Sequence, residues 1–242
     1  MLSINNKPGI KMKKYFFLAL FATTVCFAQS KDPNVIIKNV KETFGKVKDY
    51  TADVDIKVDV SFLKVPEMKA KIYFKQPNKI HIESDGFAML PKEGLYTSPI
   101  SLLDGDFTAI YAKDEFFEGR NTSVVKIIPL NDKGDIILAT LWIDQTSNIL
   151  LKVESTTKTN GTFTIVLNYG NNKFPLPEKI EFTFNTARLR LSHNPMEEEN
   201  NNNQDKKTAS STGKVYINYS NYVINKGVPD SVFEKKNNTA KK

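Results

Sequence analysis

From Tyr50 to Ile82 almost every even-numbered position is apolar, while the odd-numbered positions between them are mostly polar. Tyr50, Ala52, Val54, Ile56, Val58, Val60 and Phe62 alternate with Asp53, Asp55, Lys57 and Asp59. Met68, Ala70, Ile72 and Phe74 alternate with Lys69 and Lys71, and Ile80 and Ile82 flank His81. A period of two over three successive runs predicts antiparallel strands at 50–61, 67–76 and 79–84, each with one buried and one wet face. The last two are joined by a tight turn at Gln76-Pro77-Asn78. Slipping the register by one residue would turn the whole apolar set into water, so Val54, Ile56, Val58, Ile72, Phe74, Ile80 and Ile82 are expected to face a common concave interior.

Upstream, Asp32-Pro33 has the form of a helix N-cap followed by proline in the first turn. Val35, Ile36, Val40, Phe44 and Val47 then recur at helical spacing to about residue 48. Beyond Ser84 the period of two breaks. Residues 86–103 carry Phe87, Met89, Leu90, Leu95 and Tyr96 among Gly86, Pro91, Gly94 and Pro99, too interrupted for a strand and too apolar for a solvated loop. Such a segment is expected to lie as a lid over something hydrophobic. Strand-like runs resume at 107–113 and 116–118, flanking a turn at Asp114-Glu115, and continue at 123–129, 135–144, 149–157, 161–169, 178–191 and 213–224.

The pattern therefore predicts a mainly β, α+β fold of about ten or eleven antiparallel strands, with an N-terminal helix and a lid segment as covers. Residues 194–212, with Glu197-Glu198-Glu199-Asn200-Asn201-Asn202-Asn203, are expected to form a solvated, disordered excursion. Residues 235–242 are expected to be a disordered basic tail.

The N-terminus changes the meaning of the composition. Lys11, Lys13 and Lys14 precede an apolar stretch from Tyr15 to Phe27, too short to span a bilayer, and Ala28 offers a small residue for cleavage. Residues 1–28 thus read as a secretory signal peptide, with periplasmic export of a single domain over 29–234. Met12, followed by two lysines, is the more typical start, which makes residues 1–11 a candidate mis-called extension. Cys26 offers a competing lipid anchor, but Thr23-Thr24-Val25 before it is a poor lipobox. Of 34 basic residues against 27 acidic ones, Lys7, Lys11, Lys13 and Lys14 leave with the signal, so the formal charge falls from +7 to +3. That is too little for a nucleic-acid footprint. The one cysteine also leaves, so neither a disulfide nor a thiol nucleophile is expected.

Candidate chemistry is sparse. His81 and His193 are far apart, no cysteine accompanies them, and no metal site or cofactor is expected. None of the nucleophile-elbow, zincin, phosphate-loop or dinucleotide fingerprints occurs. The carboxylates Asp53, Asp55 and Asp59 fall at wet strand positions, where nothing desolvates them for acid–base work.

The order of these features resembles the LolA/LolB superfamily of lipoprotein carriers and lipid-binding proteins. The Lys75-Gln76-Pro77-Asn78 turn, the stretch from Leu141-Trp142-Ile143-Asp144 to Lys152-Val153, Pro177-Glu178-Lys179-Ile180-Glu181-Phe182, and the closing Tyr222-Val223-Ile224-Asn225 to Val232-Phe233 are each similar to strands and turns of that family. The resemblance implies an unclosed, curved half-barrel whose hydrophobic cavity holds acyl chains of lipids or lipoproteins. Lys75, Gln76, Pro77 and Asn78 would then form the turn that meets an inner-membrane release complex, with an outer-membrane acceptor as second partner. Carriers of the family hold an arginine where this chain has Gln76, which leaves general lipid or lipoprotein handling as the expectation. A monomeric, non-enzymatic carrier is expected; an envelope-sensing regulatory module of the same fold is the alternative, and a secreted enzyme the third reading.

Overall fold

The structure is a computed structural model and describes residues 31–60, 64–84, 99–131, 134–170, 174–186 and 212–234. The signal segment 1–28, Cys26, the lid residues Phe87, Met89, Leu90, Leu95 and Tyr96, and the tail 235–242 lie outside these residues. The excursion at 194–212 does too, apart from Thr212.

Helix α1 (Pro33–Phe44) begins as the sequence predicts: the Asp32 carboxylate accepts the Asn34 amide, with Pro33 in the first turn. Ile37 and Val40 are buried, with Ile36 and Phe44 packed beside them. The helix stops earlier than its apolar spacing suggests. Gly45 donates back to the Lys41 carbonyl and Val47 to that of Phe44, so Val47 is buried from the link rather than from the helix. Val35 is 52% exposed and belongs to the outer face.

Ten strands follow among the described residues: β1 (Asp49–Asp59), β2 (Met68–Lys75), β3 (Lys79–Ser84), β4 (Phe107–Phe117), β5 (Arg120–Pro129), β6 (Ile136–Asp144), β7 (Leu150–Thr157), β8 (Gly161–Asn168), β9 (Lys179–Asn185) and β10 (Thr212–Ile224). A 3₁₀ helix (Pro99–Leu103) precedes β4, and a short α2 (Ser231–Glu234) follows β10. The strands form one curved, unclosed antiparallel sheet in the order β3-β2-β1-β10-β9-β8-β7-β6-β5-β4. β3 and β4 are its edge strands among the described residues. The chain therefore winds outward from β1 in one direction, returns along the other edge, and closes when β10 pairs with β1.

The register explains the alternation. Val58, Val215, Phe182, Ile165, Val153, Leu141, Val125 and Tyr111 stand directly opposite one another across eight strands, a continuous apolar row on the inner face. On the outer face Asp53 stands opposite Lys71 and Asp55 opposite Lys69. Their charges are 3.9 and 4.0 Å apart and exposed, which contributes little beyond solubility.

One predicted turn is misplaced. The charged pair Asp114-Glu115 does not break the chain: β4 runs through it to Phe117, and the reversal lies at Glu118-Gly119, whose φ values are 45° and 80°. Two residues of positive φ make the turn whose twist matches its flanking strands. Asp114 and Glu115 can stay in a strand because β4 is an edge with a register shift between Tyr111 and Lys113.

Candidate functional site

The two halves of the inner face are covered unequally. Helix α1 packs against β4 and the 3₁₀ helix, and Leu103 of the 3₁₀ helix with Val125, Ile127, Leu141, Leu150 and Val153 of β5 to β7 have no exposed surface. Over β3-β2-β1-β10-β9-β8 the same covers leave a cavity of ≈ 330 Å³. That is the low end of the range for small-molecule sites. Its floor comes from alternate residues of neighbouring strands: Ile165 and Leu167 of β8, Ile180 and Phe182 of β9, Ile217 and Tyr219 of β10, and Ile72 and Phe74 of β2. Lys41 and Phe44 of α1 and Ile100 of the 3₁₀ helix overhang it. Gly45, Val47, Gln76, Pro77, Leu176 and Pro177 complete the lining.

Of the positions singled out in the sequence, Ile72, Phe74 and Ile80 line this cavity. Val54 and Ile56 share the same face, only 2% and 3% exposed, but are not part of the lining. Val58 and Ile82 are half-buried against that core. The lining residues of β8, β9 and β10 were not singled out, although Ile165-Leu167, Ile180-Phe182 and Ile217-Tyr219 show the same period of two.

Aromatic rings line one end. Tyr50 stacks on Phe74 with centroids 5.1 Å apart and meets Tyr222 edge-on at 5.6 Å; Tyr222 lies parallel to Tyr219 at 5.9 Å. The Tyr222 hydroxyl donates to the Pro177 carbonyl at 2.7 Å. Burial pushes the Tyr50 phenol up to about 12. Burial also raises Tyr219 and Tyr222, with the neighbouring phenols opposing a second ionisation. The site thus presents neutral phenols in an apolar surround. Among the described residues Asp104 is the one carboxylate on its lining. Among the described residues no group of three or more His, Cys, Asp and Glu side chains could hold a metal ion.

The Lys75-Gln76-Pro77-Asn78 turn stands beside the cavity with its first two side chains already engaged. Gln76 Nε2 donates to the carbonyls of Val47 (2.8 Å) and Gly45 (3.2 Å), and Lys75 Nζ donates to Asp230 at 2.9 Å. Asp230 also takes Lys79 at 2.9 Å. These two lysines, Lys79 first, hold its carboxyl down to about 2. The chain after β10 is therefore stitched across the outer side of the β2–β3 hairpin.

No model of a known family matches the sequence, and no curated protein matches it. Solved structures do match in fold. A domain from Vibrio parahaemolyticus with the provisional name outer membrane lipoprotein-sorting protein aligns with TM-score 0.57 and 11% identity, over 84% of this chain and 97% of its own. A LolA superfamily protein from Nitrosomonas europaea aligns at 0.52 and 12%, over 85% and 99%. A DUF1329 family protein from Desulfovibrio piger aligns at 0.52 and 11%, over 84% and 98%. At these identities the likeness shows the fold alone: a curved open sheet shared along nearly the whole length of each.

Proposed function

We propose that this protein is a periplasmic, non-enzymatic carrier that shelters acyl chains of lipids or lipoproteins in the cavity and conveys them towards the outer membrane. The observation that carries this reading is the apolar space left between the covering helices and the β3-to-β8 half of the sheet. A sheet that needed only stability would be packed there as it is over β4 to β7. Each methylene withdrawn from water contributes about 0.8 kcal/mol, so an acyl chain can be held without any directed polar contact. Affinity then comes from burial, and release needs only an alternative apolar environment.

The fold shared with a lipoprotein-sorting domain and a LolA superfamily protein supports the same reading, as does the signal-like N-terminus. The segment between Ser84 and Pro99 joins the cavity-side strand β3 to the 3₁₀ helix beside the cavity. Its Phe87, Met89, Leu90, Leu95 and Tyr96 are the cover in this reading. A release complex or acceptor would meet the Lys75–Asn78 turn at the mouth.

The test is displacement of a fluorescent fatty acid. Ile180→Trp, which fills the cavity from its floor, should abolish binding while leaving the thermal midpoint within a few degrees. Phe87→Asp or Leu90→Asp should weaken binding more than stability, because closing over the ligand would desolvate a charge. Wild-type protein that takes up no fatty acid, or an Ile180→Trp protein that binds as well as wild type, would overturn the proposal.

A further inference from the structure

The end of the cavity lined by Gly45, Gln76 and Pro77 gathers lysines that are far apart in sequence. Lys46 and Lys48 lie in the link between α1 and β1, Lys75 and Lys79 flank the β2–β3 turn, and Lys226 follows β10. Their backbones are tied to one another. The Gln76 amide donates to the Lys48 carbonyl at 2.8 Å, and the Lys48 amide donates to Asn225 Oδ1 at 2.7 Å. Asn225 Nδ2 donates to the Lys46 carbonyl at 2.9 Å, and the Lys226 amide donates to Asp49 Oδ1 at 3.1 Å. Asn225 makes this junction with a φ of 56°.

The carboxylates nearby are fewer than the five lysines. Asp49 accepts the amides of Lys226 and Gly227 and keeps its charge, Asp230 is one negative charge between two lysines, and Asp104 lies on the cavity lining. Glu42 on α1 pairs with Lys38 instead. Lys46, Lys48 and Lys226 are exposed and make no ion pair among the described residues. The chain leaves this end after α2, where Phe233 lies 6.0 Å from the Lys79 ammonium. It continues with Lys235, Lys236, Lys241 and Lys242 and no acid. Elsewhere on the outer face lysines and acids alternate in pairs, as at Asp53–Lys71, Asp55–Lys69 and Lys57–Glu67.

We infer that this lysine-bearing end of the sheet docks on an anionic bilayer surface and brings the cavity against it, so that an acyl chain passes between membrane and cavity without crossing water. The inference rests on the acyl-chain reading above. A surface rather than a single anionic head group fits the placement. Lys75 and Lys79 alternate with the cavity-lining Phe74 and Ile80 and so project to the outer side, and the remaining lysines are spread over separate elements instead of converging on the cavity. Distributed positive charge beside an apolar opening matches an anionic leaflet, where each lysine near the surface strengthens attachment about fivefold and salt weakens it.

The experiment is flotation of the purified protein with phosphatidylcholine vesicles and with vesicles containing phosphatidylglycerol, beside fatty-acid uptake by the same samples. The protein should float with the phosphatidylglycerol vesicles alone and detach as salt is raised. Lys46→Glu, Lys48→Glu and Lys226→Glu combined should weaken this at least about a hundredfold, with fatty-acid uptake and thermal midpoint kept. Lys57→Glu, Lys64→Glu and Lys126→Glu combined, away from the mouth, should leave most of it. Absence of flotation with phosphatidylglycerol, or equal loss in both triple variants, overturns the docking while fatty-acid uptake leaves the carrier standing. Absence of uptake in the wild type overturns both.

Discussion

Tyr50, Tyr219 and Tyr222 hold their phenolic protons more tightly in the folded chain than in the unfolded one, because burial penalises the phenolate. Their contribution to stability is complete below the ordinary tyrosine value of 10.0 and is lost as pH rises through about 12, the value for Tyr50. Tyrosinate absorbance during an alkaline titration should therefore show these rings ionising together with unfolding; ionisation near pH 10 with the fold intact would contradict the burial described. Asp144 illustrates the opposite sign. Burial opposes its charge, but Arg120 at 2.8 Å and the amides of Thr146 and Ser147 outweigh it and keep the carboxyl below its usual range. Asp144→Ala should cost about 2 kcal/mol in chemical denaturation, whereas a loss under about 0.5 kcal/mol would assign the pair no more than the worth of an exposed one. The sequence marked this residue as part of a strand and turn, but nothing in its spacing announced the Arg120 partner across the hairpin.

At the scale of elements, the sheet reads clearly from the sequence because strand periodicity is local: Val54, Ile56 and Ile72 share a face for a reason contained in a few neighbouring residues. The cavity does not read in the same way. Ile180 and Leu141 have the same alternation, yet one lines the cavity and the other has no exposed surface, and that difference depends on how far the covers reach. Leu141→Ala should accordingly cost about 3 kcal/mol, the usual price of a fully packed site, while Ile180→Ala should cost less than half as much in the same denaturant titration. Equal losses would mean that both halves are packed alike. The misplaced turn has a similar origin, since Asp114-Glu115 looks like a break until β4 is known to be an edge. The segment after β10 makes a further element-scale case. Asp230 contributes fully above its ordinary value of 3.8 and loses that contribution as pH falls towards about 2. Amide exchange of residues 226–234 should rise over that interval ahead of the sheet, and protection that persists to global unfolding would show the ion pairs to be idle.

At the largest scale the described residues form an open sheet with β3 and β4 as edge strands and a cavity under one half. An edge strand can recruit another chain, but β4 presents Lys113, Asp114 and Glu115, with Asp114 paired to Lys31 at 2.9 Å. The charges disfavour edge pairing, and light scattering should find a monomer. The carrier reading rests on the space beneath the helices, so the most direct measurement is native mass spectrometry of the protein isolated from its native cells, beside its Ile180→Trp variant. The account predicts a population heavier than the polypeptide by an acyl-bearing lipid or lipoprotein, released on activation and missing from the variant. Protein that arrives free of lipid, or a variant that carries the same mass as wild type, would contradict it.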